Sequence, residues 1–185
     1  MVASQEDLSR FLEELGIVTR TAAHAPLFTV EESQALRGEI AGAHTKNLFL
    51  KDKKDALFLV VAREDTAIDL KRLHERIGAS SRLSFGKPDL LFETLGVTPG
   101  AVTPFGLIND RTGRVAVVID AGLIDGPEVN CHPLVNTATT TIGSADLLAF
   151  LRATGHEPQI LVLDGPAGDR PAGVGGLPTG DRDPM

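Results

Sequence analysis

The unbroken apolar run Ala56-Leu57-Phe58-Leu59-Val60-Val61-Ala62 constrains this chain most. It is far short of a membrane span and has the length of a strand. A second apolar segment, Thr45 to Leu50, precedes it, and the polar link Lys51-Asp52-Lys53-Lys54-Asp55 predicts that the two pair as a hairpin. A sheet is therefore expected.

Helices are expected beside it. Ser4 can cap a helix with Asp7 in its first turn, burying Leu8, Phe11, Leu12 and Leu15 and stopping at Gly16. Ile17 to Ala23 then reads as a strand, and Thr29-Val30-Glu31-Glu32 as the capping box of a short helix ending near Gly38. Ile68 to Ile77 has helical spacing with Gly78 as its stop, Arg82 to Phe85 reads as a short strand, and Pro88 opens a helix ended by Gly96. Val97 to Gly106 is a Gly/Pro-rich loop. A hairpin is expected from Leu107-Ile108 to Val115–Ile119, turning at Asn109 to Gly113. Leu134 to Ile142 is strand-like, Ser144 caps a helix through Leu151, and Gln159 to Leu163 is a closing strand. Without a regular β-α alternation the expected class is α+β. One domain over 1–164 is expected, and the tail 165–185 has too little apolar content to pack, so it is expected to be disordered.

Composition narrows the function. A net charge of −7 argues against broad nucleic-acid binding, including DNA, but leaves room for a small basic patch that grips one end of an RNA. Trp and Tyr are absent and Phe occurs eight times, too few for a platform of stacked aromatics. A single cysteine excludes an internal disulfide and fits a reducing cytosol. The first residues lack a basic region followed by an apolar one, so a cytoplasmic protein without membrane attachment is expected.

Three segments carry candidate chemistry, and none pairs a nucleophile with a base. Lys46, after Thr45 and at the entry to a strand through Leu48 and Leu50, could present its ammonium to a phosphate or carbonyl oxygen. Spacing alone favours the plainer reading, a solvated edge lysine. Asn47 would point to the other face and hold a neighbouring loop. The loop Gly100-Ala101-Val102-Thr103-Pro104 combines a glycine that admits close backbone approach with a proline that fixes φ, so it could aim backbone groups at an oxyanion or ammonium. It reads equally as an ordinary turn. In Asn130-Cys131-His132-Pro133 the two reactive side chains are neighbours, so an extended backbone sends them to opposite faces. His132 could line a pocket or be a satisfied structural histidine; Cys131 packs as a small apolar residue. The five histidines show no zinc spacing, and no nucleophile elbow, phosphate loop or dinucleotide fingerprint occurs, so neither metal nor cofactor is expected. Lys51, Lys53 and Lys54, with Arg63 in the same hairpin, could touch RNA phosphates or form a soluble turn. Arg72, Arg76, Arg82 and Lys87 are open to the same two readings.

Taken in order, His24-Ala25-Pro26, Lys46-Asn47-Leu48-Phe49-Leu50, Gly100-x-x-x-Pro104 running into Phe105-Gly106-Leu107, and Asn130 to Pro133 with Thr139-Thr140-Thr141 resemble the editing-domain family found inserted in bacterial prolyl-tRNA synthetases and as freestanding proteins (the YbaK-like editing domains). The likeness runs from about Ser4 to Asp164 and is closest to the freestanding alanyl-tRNA(Pro) deacylases. It implies a mixed, mostly antiparallel sheet with flanking helices, and hydrolysis of the ester joining a wrong amino acid to tRNA(Pro). It also implies roles. Lys46 would place the terminal adenosine through its phosphate, and Gly100, Ala101, Val102, Thr103 and Pro104 would face the aminoacyl group and the free ribose hydroxyl. His132 would shape the pocket, with Thr45, Asn47 and Phe49 as further substrate contacts. The partner implied is the acceptor end of tRNA(Pro), with prolyl-tRNA synthetase as an open second one. Two alternatives stand: a cysteinyl-tRNA(Pro) deacylase, and a non-catalytic relative that binds tRNA or a synthetase.

Overall fold

The structure, a computed structural model, describes residues 1–26, 32, 35 and 40–163. The expected capping box at Thr29 and the tail from Gly165 lie outside these residues.

Helix α1 (Gln5–Glu14) begins at Ser4, whose hydroxyl accepts from the Asp7 N–H while the Asp7 carboxylate accepts from the Ser4 N–H; Leu8 and Leu12 are its buried stripe. After β1 (Arg20–Ala23), the strands β2 (Ala43–Lys51) and β3 (Leu57–Arg63) form the expected hairpin, in a register pairing Thr45 with Arg63 and Lys51 with Leu57. Arg63 thus sits at the opposite end of the hairpin from the lysine-rich turn. Next come α2 (Leu73–Ile77), β4 (Ser84–Phe85) and α3 (Pro88–Leu95). A 3₁₀ helix (Pro104–Asn109) precedes β5 (Val115–Asp120), α4 (Ala121–Ile124), β6 (Glu128–Cys131), β7 (Ala138–Gly143), α5 (Ser144–Ala153) and β8 (Gln159–Leu161).

The strands form one mixed sheet in the order β1-β7-β6-β2-β3-β5-β8, with β4 added to β2. The β6–β2, β3–β5 and β5–β8 pairs are parallel, and the other four are antiparallel. From Leu57 to Ala62 β3 is apolar because both its faces are covered there. Leu57, Leu59 and Val61 face a large core with Leu8, Leu95, Phe105, Leu147 and Phe150, while Phe58, Val60 and Ala62 face a smaller one with Leu73, Ile77 and Leu163. The fold is α+β, a single domain of mixed sheet and flanking helices.

Local chemistry moved several expected boundaries. Leu107 and Ile108 are not a hairpin strand. They lie in the 3₁₀ helix, which starts where Thr103 Oγ1 accepts from the Phe105 N–H beside Pro104. The Asp110 carboxylate then takes the Arg114 and Val115 N–H groups, so β5 finds its neighbours in β3 and β8 instead. Ser144 is the first helical residue rather than the cap. Its hydroxyl donates to the Gly126 carbonyl at 2.5 Å, and Gly143 takes the cap position. α2 starts at Leu73 rather than Ile68, and β1 at Arg20 rather than Ile17.

Asp52 organises the hairpin turn. Its buried carboxylate accepts from the Lys54, Ala56 and Ser80 N–H groups and from the Ser80 hydroxyl, at 2.8–3.0 Å. Those donors, Ser80 foremost, hold its pKa at about 2 against an ordinary value of 3.8. A depressed carboxylate contributes stability above its unfolded pKa and loses it as pH falls through the folded value. The urea midpoint should therefore drop between about pH 4 and pH 2, and Asp52→Asn should flatten that part of the profile. An identical acid limb in both proteins would show that the turn does not depend on this charge.

Candidate functional site

Alternation along β2 divides the candidate residues between two faces. Thr45, Asn47 and Phe49 lie on the large-core side; Lys46, Leu48 and Leu50 lie on the other. Thr45 Oγ1 donates to the Asn130 carbonyl at 2.9 Å, and Asn47 Nδ2 donates to Thr45 Oγ1 at 3.2 Å. Asn47 Oδ1 is buried and has no hydrogen-bond partner among the described residues. Asn130 binds this corner together, accepting from Thr141 Oγ1 at 2.6 Å and donating to the Ala41 carbonyl at 3.0 Å. Phe49 is held by the residue just after β4: the Gly86 N–H donates to the Phe49 carbonyl, and a Cβ at 86 would meet the Phe49 ring at 2.4 Å.

The loop before the 3₁₀ helix comes to the same side. Gly100 has φ +92, a conformation that suits glycine, and a Cβ there would lie 3.8 Å from Asn136 Nδ2. Ala101 and Val102 join the core that holds Phe49, Cys131 and Leu134. Ala101, Thr103 and Pro104 are buried. The loop therefore presents Thr98, Pro99 and Gly100 outward, with Val102 half-buried.

His132 follows Cys131, the last residue of β6. A carbonyl only accepts, so the 3.1 Å contact from His132 Nδ1 to the Ala138 carbonyl makes Nδ1 the protonated nitrogen. Burial pushes its pKa down, with nearby His24 acting in the same direction against the bond to Ala138. The ring is thus neutral at pH 7 and its Nε2 is an acceptor. His24 holds the other side of the β7 start: its N–H donates to the Thr137 carbonyl and its Nε2 meets Thr139 Oγ1 at 2.8 Å. The backbone between them is strained at Leu134, a buried non-glycine residue with φ +69. Cys131 faces inward beside Thr45, and burial pushes its thiol up to about 12. That thiol is no nucleophile at pH 7.

Lys46 is apart from this group. Its ammonium donates to the Thr66 carbonyl, and Thr66 Oγ1 donates to buried Asp120 at 2.8 Å. A cleft of about 350 Å³ opens there, lined by Arg63, Asp65, Thr66, Asp120 and Asp125. Lys46 and the Gly100 loop thus stand on opposite sides of β2, with no hydrogen bond between them among the described residues. Thr66 is the polar residue of this region that the sequence reading did not single out, and His24 and Asn130 entered it only within longer segments, without a role of their own. The threonine run 139–141 belongs with them: its side chains meet His24, Thr21 and Asn130. Among the described residues no group of three His, Cys, Asp or Glu side chains could hold a metal ion, and no helix is long and apolar enough to cross a membrane.

Residues 24–150 match the aminoacyl-tRNA editing domain family. The chain is 43% identical over 162 residues to prolyl-tRNA synthetase associated domain-containing protein 1 of Danio rerio, covering 86% of this chain and 88% of the relative. It is 42% identical over 146 residues to the prolyl-tRNA editing protein ProX of Acetoanaerobium sticklandii, covering 78% and 88%. A crystal structure of a candidate trans-editing enzyme for prolyl-tRNA synthetase superposes with TM-score 0.67 at 21% identity, covering 90% of this chain and all of the other, a likeness of fold. The chain belongs to the aminoacyl-tRNA editing domain family.

Proposed function

We propose that the protein is a trans-editing deacylase that removes alanine from Ala-tRNA(Pro), with the substrate's own vicinal ribose hydroxyl assisting. One observation supports this reading: Asn47 offers an unpartnered buried oxygen, His132 a ring that donates from Nδ1, and Cys131 a buried thiol pushed up to about 12, so no activated nucleophile stands among these candidates. An aminoacyl ester is already activated, so positioning of water and stabilisation of the carbonyl oxygen are enough. Water adds to the ester carbonyl, the carbon–oxygen bond to ribose breaks, and the proton passes by way of the vicinal hydroxyl to the departing ribose oxygen. Asn47 Oδ1 and His132 Nε2 are acceptors suited to the substrate's ammonium, and backbone groups near Gly100 to the ester and ribose. Lys46 takes the phosphate of the terminal adenosine from the other side of β2, so the 3′ end straddles the strand.

Discrimination in this reading is steric. Alanine is smaller than proline, so the synthetase pocket cannot exclude it, and a methylene is worth only about 1–3 kcal/mol of selectivity. A second site closed by Phe49, Val102 and His132 admits alanine and refuses proline. Incubation with Ala-, Cys- and Pro-tRNA(Pro), with release of amino acid measured, should show alanine freed at least about a hundredfold faster than proline. Equal rates on alanine and proline would refute the sieve, faster release of cysteine would mark a cysteinyl-tRNA deacylase, and no release would mark a binding protein.

A further inference from the structure

We infer that the acceptor stem of the RNA lies along the β4 edge of the sheet, gripped by Lys53, Lys54, Arg82 and Lys87 around the exposed ring of Phe85. Most cations among the described residues are occupied. Arg10, Arg20, Lys51, Arg63, Arg72, Arg114 and Arg152 are paired with carboxylates, while Lys46 and Arg76 donate to the carbonyls of Thr66 and Val162. Lys53, Lys54, Lys71, Arg82, Lys87 and Arg111 have no ion pair or side-chain hydrogen bond among the described residues, and all six are exposed. Four of these six lie in two adjoining segments, the hairpin turn and the stretch from Arg82 to Lys87.

The register explains why. β4 runs antiparallel beside the end of β2, pairing Phe85 with Leu50 and Ser84 with Lys51, which sets Arg82 beside the hairpin turn. The Lys53 N–H donates to Ser81 Oγ at 2.9 Å and fixes that turn against the segment. The acidic residues of the turn do not cancel the patch: Asp52 is buried under four hydrogen bonds and Asp55 is engaged by Lys51 at 2.8 Å. Between the cations Phe85 is 60% exposed, a large apolar surface with a π-face for a base or sugar. Arg82 to Lys87 spans about 17 Å of extended chain, and β2 carries Lys46 a similar distance from the turn. A strip of free cations on a chain of net charge −7 fits a polyanion better than an acidic face of a protein, whose contacts the paired arginines would serve equally.

This rests on the editing reading for the identity of the RNA, so the test separates the two. Binding of uncharged tRNA(Pro) is measured by fluorescence anisotropy across a range of salt. Replacing Lys53, Lys54, Arg82 and Lys87 by alanine should weaken binding at least about tenfold and reduce the slope of log K against log salt by about 3, at roughly 0.7–0.9 per lost phosphate contact. Phe85→Ala should weaken binding by about fivefold or more with the slope unchanged. Lys71→Ala with Arg111→Ala, which removes the two remaining free cations, should leave both nearly unchanged. An unchanged slope in the quadruple variant, an equal loss in the double variant, or no binding by the wild-type chain would overturn the proposal. So would loss of synthetase binding by the quadruple variant with tRNA affinity intact. Hydrolysis of an alanylated CCA trinucleotide, too short to reach the patch, tests the editing reading alone and should be equal in wild type and quadruple variant.

Discussion

Lys46→Met should lower kcat/KM for Ala-tRNA(Pro) by about 10²–10³, a loss on the scale of one preorganised electrostatic contact to the substrate. Methionine keeps an unbranched stem beside Ala62, its register partner on β3, and deletes only the ammonium. The structural loss is a single hydrogen bond to the Thr66 carbonyl, worth about 1 kcal/mol, so the protein should unfold at nearly the same urea concentration. The loss should appear as much with short aminoacyl-CCA as with whole tRNA, because the group lost contacts the terminal nucleotide. Near-normal turnover would remove Lys46 from the reaction and leave it a strand lysine tied to a neighbouring loop.

His156→Ala should cost about 3 kcal/mol of stability, the scale on which a broken buried pair is destabilising. His156 Nε2 meets Asp110 Oδ2 at 2.9 Å, its Nδ1 meets Thr154 Oγ1 at 2.9 Å, and both side chains of the pair are 2% exposed. Asp110 also takes the Arg114 and Val115 N–H groups, so the pair ties the start of β5 to the turn after α5. Burial works to raise the Asp110 pKa, and the bonds from His156, Val115 and Arg114 outweigh it and hold the carboxyl below the usual value. Its contribution is therefore present above the ordinary carboxylate range and is lost as pH falls through the lower folded value. The urea midpoint reports the effect. A change under about 0.5 kcal/mol would mean that the site collapses around the missing ring at little cost. Catalysis on the folded fraction should be unchanged, since the pair lies outside the candidate site.

What the sequence made legible was local. The Ser4–Asp7 capping box, the helix between Pro88 and Gly96, and the hairpin around Asp52 each follow from residues a few positions apart. Alternation along β2 also foretold that Lys46 and Asn47 face opposite ways. Contacts distant in sequence were not legible. Nothing near Val115 says that β5 will lie parallel to β3, some sixty residues earlier, instead of pairing back with Leu107 and Ile108. β6 is four residues between Pro127 and Pro133, too short for a periodic signal, yet it carries Asn130, which joins Thr45 to Thr141. The Thr66 carbonyl that receives Lys46 comes from a loop twenty residues on. Segment motifs named the candidates, and only the sheet order says which share a face.

The central claim is that the protein supplies a fixed cradle and the misacylated RNA supplies the hydroxyl that handles the proton. Ala-tRNA(Pro) ending in 2′- or 3′-deoxyadenosine, with alanine on the remaining hydroxyl, tests it under single-turnover conditions. Substrate assistance predicts that cleavage falls by about 10²-fold or more while binding of the RNA is retained. Cleavage of the deoxy substrate at the normal rate would contradict it, and would require a base among the protein's own side chains.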